Sequence, residues 1–317
     1  MTAADVAPDP RQVRLVSLEE HVRTVPAEAP ASIPVGPAVW ALRRRAHNAV
    51  DRFDGLWYRR TLDLKTGPAA IGVRQRGSAS DPELEVTIKG EGAEETVALV
   101  QSSLELILGL DAELAGFYQM ARGDARVNDL ANRFRGLRPP RFPTLFEALV
   151  NAVVCQQVSL VVGIHLLNRL STSFGSADPL GVSAGGWAAP APERIAEAKL
   201  ESLRELGLSR AKARALAGCA AAALSRLGDD AARERLCQLP GIGRWSAEYV
   251  LLRGLGRYQV LPGDDVGARN SLRRRFGLSA KAGYDDVQRL TAAWQPFAGM
   301  VYFHLLLDGL ERSHAWD

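Results

Sequence analysis

The sequence predicts an α+β protein that is mainly helical, with a small antiparallel-sheet domain near the N-terminus, and three observations carry that prediction. Between about Gly36 and Gly90, short strand-like runs at 57–64, 70–76 and 84–89 are separated by Thr66-Gly67-Pro68 and Ser78-Ala79-Ser80-Asp81-Pro82 turns. From about Glu94 almost to the end, apolar residues recur at three- and four-residue spacings. Within that helical part, Leu239-Pro240-Gly241-Ile242-Gly243-Arg244-Trp245-Ser246-Ala247 places a tight glycine turn between two helical segments. Helices packed on one another and against one sheet is the layer architecture that fits this order.

Taken in order, residues 1–34 are rich in Ala, Pro and Glu and read as an arm that is at least partly mobile, with one short strand at 13–16. Residues 35–110 form the sheet domain, in which a helix over 38–52 precedes the three strands and a helix over 96–108 follows them. Residues 111–317 form the helical domain, with helices expected at 112–121, 145–170, 195–206, 211–227, 231–238, 244–255, 266–276, 284–293 and 297–310. The loop 175–192, with Gly185-Gly186 and Pro190-Ala191-Pro192, is expected to divide the helices into two lobes and to act as their hinge. No tandem repeat interrupts this order.

Composition sets outer limits. The chain has 317 residues, 47% of them apolar, which suffices for a substantial core. A net charge of +3 with a pI of about 8.9 permits a polyanionic partner without demanding one. Arginines are clustered: Arg122, Arg126, Arg133, Arg135, Arg138 and Arg141 stand against only Asp124 and Asp129, and Arg269, Arg273, Arg274 and Arg275 follow later. Either cluster reads as a solvated helix face or as a set of phosphate contacts. Cys155, Cys219 and Cys237 are too few and too scattered for a disulfide framework, and they assemble no iron–sulfur or zinc site. With no secretory signal and no apolar run of membrane-spanning length, a cytoplasmic monomer is expected.

The glycine turn carries the first functional inference. Gly241 and Gly243 let backbone N–H groups approach a phosphate oxygen, and the dipole of the following helix adds to the attraction. Such contacts position nucleic acid without reading its sequence. A tight αα-corner that only permits close packing is the other explanation. Trp245, Tyr249 and Leu252 share one face of the helix leaving the turn, so this stripe is either core or a surface on which an everted base stacks.

Twenty residues after Trp245 comes an acidic pair, in Leu261-Pro262-Gly263-Asp264-Asp265-Val266. An aspartate opening a helix is an N-cap. The same dipole favours the ionised carboxylate, which stabilises positive charge on a deoxyribose as the base departs and orients or deprotonates the attacking water. Which aspartate caps and which does chemistry stays open at this point.

Together these residues resemble the helix-hairpin-helix DNA glycosylase superfamily, and within it the bacterial AlkA-type 3-methyladenine glycosylases. The resemblance extends to Phe146-Glu-Ala-Leu-Val-Asn-Ala-Val-Val-Cys-Gln-Gln-Val-Ser159 and to Trp294-Gln-Pro-Phe, and covers residues 52–307. It implies a two-lobed helix-hairpin-helix core and a partner in double-stranded DNA carrying damaged bases. Asp265 is then the catalytic carboxylate, and Trp245, Tyr249 and Trp294 line the base pocket. Gly241, Gly243 and Ser246 bind phosphate through their N–H groups, and Gln157 is the wedge that fills the gap left in the duplex. The carbonyls of Cys237, Leu239 and Ile242 hold a structural sodium or potassium ion, and no cofactor is expected for catalysis.

Members that also nick the strand carry a lysine where this chain has Trp245, so the implied reaction is hydrolysis alone, leaving an abasic site. N-alkylated purines of the 3-methyladenine and 7-methylguanine type are the expected substrates. Ala298 and Gly299 stand where AlkA-type enzymes often have arginine and serine, and Val266 and Gly267 replace bulkier residues after the aspartate. These departures leave two alternatives in view: a glycosylase for deaminated or oxidised bases, and a non-catalytic helix-hairpin-helix DNA-binding protein.

Overall fold

The structure, a computed structural model, describes residues 16–18, 22–25, 35–77, 82–91, 93–179, 186–221 and 232–313. Six strands form one antiparallel sheet: β1 (Val16–Leu18), β2 (Val22–Val25), β3 (Arg52–Phe53), β4 (Tyr58–Leu64), β5 (Gly67–Gly77) and β6 (Pro82–Lys89), in the order β1-β2-β6-β5-β4-β3. The three expected strands are β4, β5 and β6, in register through Tyr58 opposite Val73 and Val73 opposite Val86. The arm is partly integrated, because β2 pairs with β6 through Val22 and Thr87. The strand expected at 13–16 touches the described residues only at Val16, and the turn at 78–81 lies outside them.

Helices α1 (Val35–Arg43) and α2 (Ala93–Leu108) bury Val39, Leu42, Val100, Leu104 and Ile107 against the sheet residues Tyr58, Ile71, Val73 and Val86. Helix α1 is shorter than expected from its apolar pattern. It stops because Arg44 takes a left-handed backbone, φ 56°, and Asn48 then accepts hydrogen bonds from the N–H groups of Val50 and Asp51, turning the chain into β3.

The helical domain continues with α3 (Ala115–Ala121), α4 (Ala125–Arg133), α5 (Leu145–Cys155), α6 (Leu160–Phe174), α7 (Pro192–Glu197), α8 (Leu200–Glu205), α9 (Arg210–Ala221), α10 (Ala232–Cys237), α11 (Arg244–Arg253), α12 (Val266–Phe276), α13 (Tyr284–Thr291) and α14 (Ala298–Arg312). Helix α4 was hidden by its arginines, although Asp124 caps it through the Arg126 N–H. The single helix expected at 145–170 is two helices. Gln157 breaks it with φ 52° and Ser159 caps the second piece, while both pieces bury their apolar faces and so share one unbroken periodicity.

Two helical cores result. One joins α5 to α11 around Leu149, Val153, Leu170, Leu216 and Val250; the other joins α3, α4, α12, α13 and α14 around Phe117, Leu130, Leu272 and Phe303. The loop 175–192 is not the hinge between them, because Leu170 before it and Ile195 after it pack in the same core. The lobes instead meet where the chain crosses between them, at about 137–142 and again just after α11.

Most of the clustered arginines are structural ties. Arg133 and Arg275 both bond the buried Asp308, Arg138 is buried on the carbonyls of Leu110 and Ala112, and Arg141 meets Asp111. Inter-domain contact is fixed by Arg60 of β4, which bonds Asp51 at 2.6 Å and Glu147 of α5 at 2.5 Å in a fully buried cluster. Removing either acid would leave part of this buried guanidinium unpaired, and removing both would strand it. Among the described residues, no helix is long and apolar enough to cross a membrane.

Candidate active site

The glycine turn connects α10 to α11. Ile242 is buried and its N–H donates to the Leu239 carbonyl at 3.1 Å, closing the turn. Gly241 has φ 78°, and a Cβ there would stand 2.8 Å from the Ala215 Cβ, so the position demands glycine twice over. Gly243 is different: it is exposed, extended (φ −94°, ψ −178°), open around its Cα, and supplies no side-chain cap to α11. The first N–H groups of α11 therefore lack a protein cap and face solvent with the positive end of the helix dipole.

Past its first two residues α11 is buried, and its side chains organise the acidic loop. Glu248, whose carboxyl is pushed up by burial, accepts the Gly263 N–H at 3.2 Å and the Tyr284 hydroxyl. Gly263 has no room for a side chain, since a Cβ would lie 2.7 Å from the Tyr284 ring. This clamp fixes the two aspartates in different roles. Asp264 is held by Arg244 at 2.7 Å and Arg269 at 2.8 Å. Asp265 caps α12 with Oδ1, accepting the Ala268 N–H at 2.7 Å, and turns Oδ2 to the Trp245 indole N–H at 3.1 Å. One residue thus both caps and presents a carboxylate oxygen, while its neighbour is neutralised by two guanidiniums.

Asp265 stands on the wall of a cleft of about 1000 Å³ between the two helical cores. Trp245 and Tyr249 also line it, with rings stacked at 5.4 Å and 30°; Trp245 is half-buried and Tyr249 lies mostly behind it. A planar ligand therefore meets the Trp245 face first. Trp294 does not line the cleft. It is 2% exposed and packs edge-on against Phe276 at 4.8 Å, because the 3₁₀ turn that carries it faces the interior of the second core. Its expected place is taken by Tyr302 of α14, whose hydroxyl lies 3.5 Å from Asp265 Oδ2 and whose ionisation is pushed well up by burial and by Asp265. The sequence hid Tyr302 in a largely apolar helix, between Val301 and Phe303, where its phenol hydroxyl is the one mark that sets it apart from the core residues beside it.

On the opposite rim, Gln157 is the exposed tip between α5 and α6, beside the exposed Val158, Val161 and Val162. Its neighbour Gln156 reaches back to the hairpin, donating from Nε2 to the Gly241 carbonyl at 2.8 Å and the Ser246 hydroxyl at 2.6 Å. Ser246 is buried, so its side chain is spent on this link. Lys212 of α9 completes the brace by bonding the Val154 and Gln156 carbonyls at 2.8 and 2.7 Å. Turn, rim and carboxylate are thereby one rigid unit.

Among the described residues no cluster of three or more His, Cys, Asp or Glu could hold a metal. Carbonyl ligation is a separate matter: no described backbone N–H bonds the carbonyls of Cys237 or Ile242, and that of Leu239 retains a second lone pair beside its bond to Ile242.

These features agree with what the chain resembles among known proteins. Residues 150–296, which hold the rim, the turn and the acidic loop, match the family model described as HhH-GPD superfamily base excision DNA repair protein. A DNA-3-methyladenine glycosylase of Bacillus subtilis is 30% identical over 208 residues, covering 62% of this chain and 67% of that protein. DNA-3-methyladenine glycosylase 2 of Escherichia coli is 31% identical over 177 residues, covering 54% and 60% respectively. The solved 3-methyladenine DNA glycosylase of Archaeoglobus fulgidus superposes with a TM-score of 0.78 at 26% identity, over 89% of this chain and 97% of that one. A helix–turn–helix with an aspartate opposite its tryptophan, set in this sheet-plus-two-lobe fold, together with these similarities, places the chain in the HhH-GPD superfamily of base excision DNA repair proteins.

Proposed function

We propose that the protein is a monofunctional DNA glycosylase that hydrolyses the N-glycosidic bond of alkylated purines, of the 3-methyladenine and 7-methylguanine type, in double-stranded DNA. The observation that carries this reading is Asp265: a carboxylate oxygen, held by Trp245 and not neutralised by a guanidinium, on the wall of a cleft that opens beside an uncapped helix N-terminus. A protein that only docked on DNA would need the turn but not this oxygen.

Backbone N–H groups at Gly241, Gly243 and the start of α11 hold a phosphate, Gln157 enters the duplex, and the everted base stacks on Trp245. N-alkylated purines already carry positive charge, so the bond breaks with little help at the base. Charge moves onto the sugar, where Asp265 Oδ2 stabilises it and orients the water that adds to the anomeric carbon. Trp245 offers no amine at this position, so no Schiff base forms there and the strand stays intact. The carbonyls of Cys237, Leu239 and Ile242 would hold a sodium or potassium ion, whose charge, when bound, would reinforce the phosphate grip of the turn.

The test is product analysis on duplex DNA methylated with dimethyl sulfate. Free alkylpurines should appear together with abasic sites that break only after alkali. Release of no base, or strand breaks without alkali, refutes the proposal.

A further inference from the structure

The cleft has a wall that the reaction does not use. Arg44 lies at the end of α1, in the N-terminal domain, yet it lines the same cleft as Asp265 and Trp245. It is 6% exposed and sits within electrostatic reach of Tyr249, Tyr302, Cys155 and Asp51. Its backbone is left-handed at φ 56°, a conformation in which a glycine would be at ease and an arginine is not. A long cation held there against its backbone preference is an outlier that asks for a use. Its bonds are few: Nη2 donates to Asn151 Oδ1 at 2.8 Å and Nε to the Leu42 carbonyl at 3.4 Å. Among the described residues, Nη1 has no hydrogen-bond partner.

The second guanidinium of the inner wall is closed to a ligand. Arg253 is 1% exposed beneath the rings of Phe142, Tyr249 and Phe303 and donates to the Ala41 carbonyl, and the one carboxylate of the cleft not neutralised by a guanidinium, Asp265, is engaged by Trp245 and Ala268. A purine edge that carries a carbonyl finds a charged donor here. An edge that carries an amino group sets its own N–H donors against that cation and forms no bond with it. We infer that Arg44 is a specificity-determining residue that favours everted purines with a 6-oxo group, the 7-methylguanine type, over 6-amino purines of the 3-methyladenine type. The inference rests on the function proposed above and adds to it the choice between bases.

Dimethyl sulfate-treated DNA contains both lesions, so one reaction gives the ratio of 7-methylguanine to 3-methyladenine released, and this ratio is independent of how much enzyme is folded. Arg44→Met keeps the length and removes the donors; Arg44→Gly removes the side chain and relaxes the left-handed backbone, which protects folding. Both should lower the ratio about tenfold, the scale of one hydrogen bond to a charged group. A ratio within twofold of wild type in either variant, whatever the absolute rates, overturns the inference while leaving the glycosylase reading intact. A wild-type protein that releases neither base overturns the glycosylase reading itself, and the inference falls with it.

Discussion

Replacing Asp265 by asparagine is the most demanding test of the proposed site, because one carboxylate makes two hydrogen bonds in the structure and carries the chemistry in the proposed reaction. In the wild type, Oδ1 accepts the Ala268 N–H at 2.7 Å and Oδ2 accepts the Trp245 indole N–H at 3.1 Å. An amide has one oxygen, so one of these donors must face an NH2 group and its bond is lost. A helix cap or a single hydrogen bond of this kind is worth about 1 kcal/mol, which lowers Tm by a few degrees in a protein of this size. The catalytic loss is larger. Preorganised groups facing charge that develops in a transition state contribute roughly 3–4 kcal/mol each, and a full negative charge opposite a sugar cation belongs at or above that range. At 1.36 kcal/mol per tenfold, base release should slow by about 10³-fold or more. Single-turnover release with enzyme in excess over methylated duplex isolates this step from product dissociation, and fluorescence anisotropy reports binding separately. DNA affinity should hold within a few-fold of wild type, since a phosphate at the turn never touches Asp265. A folded variant that releases base within tenfold of wild type, or one whose loss is wholly a loss of DNA binding, refutes the assignment.

Gly243→Asp should separate stability from binding. The position is extended and spacious, and an aspartate there would supply the side-chain cap that α11 lacks, raising stability by about 1 kcal/mol while its charge weakens DNA binding. A stabilised variant with undiminished affinity would remove the phosphate from this turn. Trp294→Ala should unfold at markedly lower denaturant, by about 3–5 kcal/mol, because it opens a cavity in the second core; equal stability with selective loss of activity would restore Trp294 to the base pocket. His304 is buried against Phe117 with Nδ1 on the Met300 carbonyl, and burial holds its pKa down to about 4. The unfolded chain takes up this proton from about pH 6.5 downward and the folded protein does not, so stability should be fully present above pH 6.5. It should then fall by about 3 kcal/mol as the pH drops to about 4. Chemical denaturation of His304→Leu should show a flatter profile over that interval, and an unchanged slope would exclude His304 as its source.

The arginine clusters show where sequence reasoning stops. Their spacing allowed either a solvated face or a phosphate-binding stripe, and the structure spends Arg133 and Arg275 on Asp308, Arg141 on Asp111 and Arg138 on the Leu110 and Ala112 carbonyls. The same limit affected Trp294: its motif was recognised, but which way a 3₁₀ turn faces depends on the core it closes. The break at Gln157 was invisible for a different reason. Two consecutive helices that both bury apolar faces give one periodicity, and only the left-handed φ of a polar residue reveals the tip.

The sequence by itself determined the class of the fold, its three central strands, the glycine turn and the aspartate twenty residues after Trp245. These depend on short-range rules of periodicity, capping and glycine freedom, which a local string of residues states completely. Tertiary structure decided which aspartate is neutralised by arginines, that Tyr302 and not Trp294 stands beside Asp265, and that Arg44 from the N-terminal domain reaches the cleft. Apart from the bond between Arg269 and Asp264, these contacts join residues twenty or more apart in the chain, at a junction where three cores meet, and only the packing of those cores sets which side chains face it.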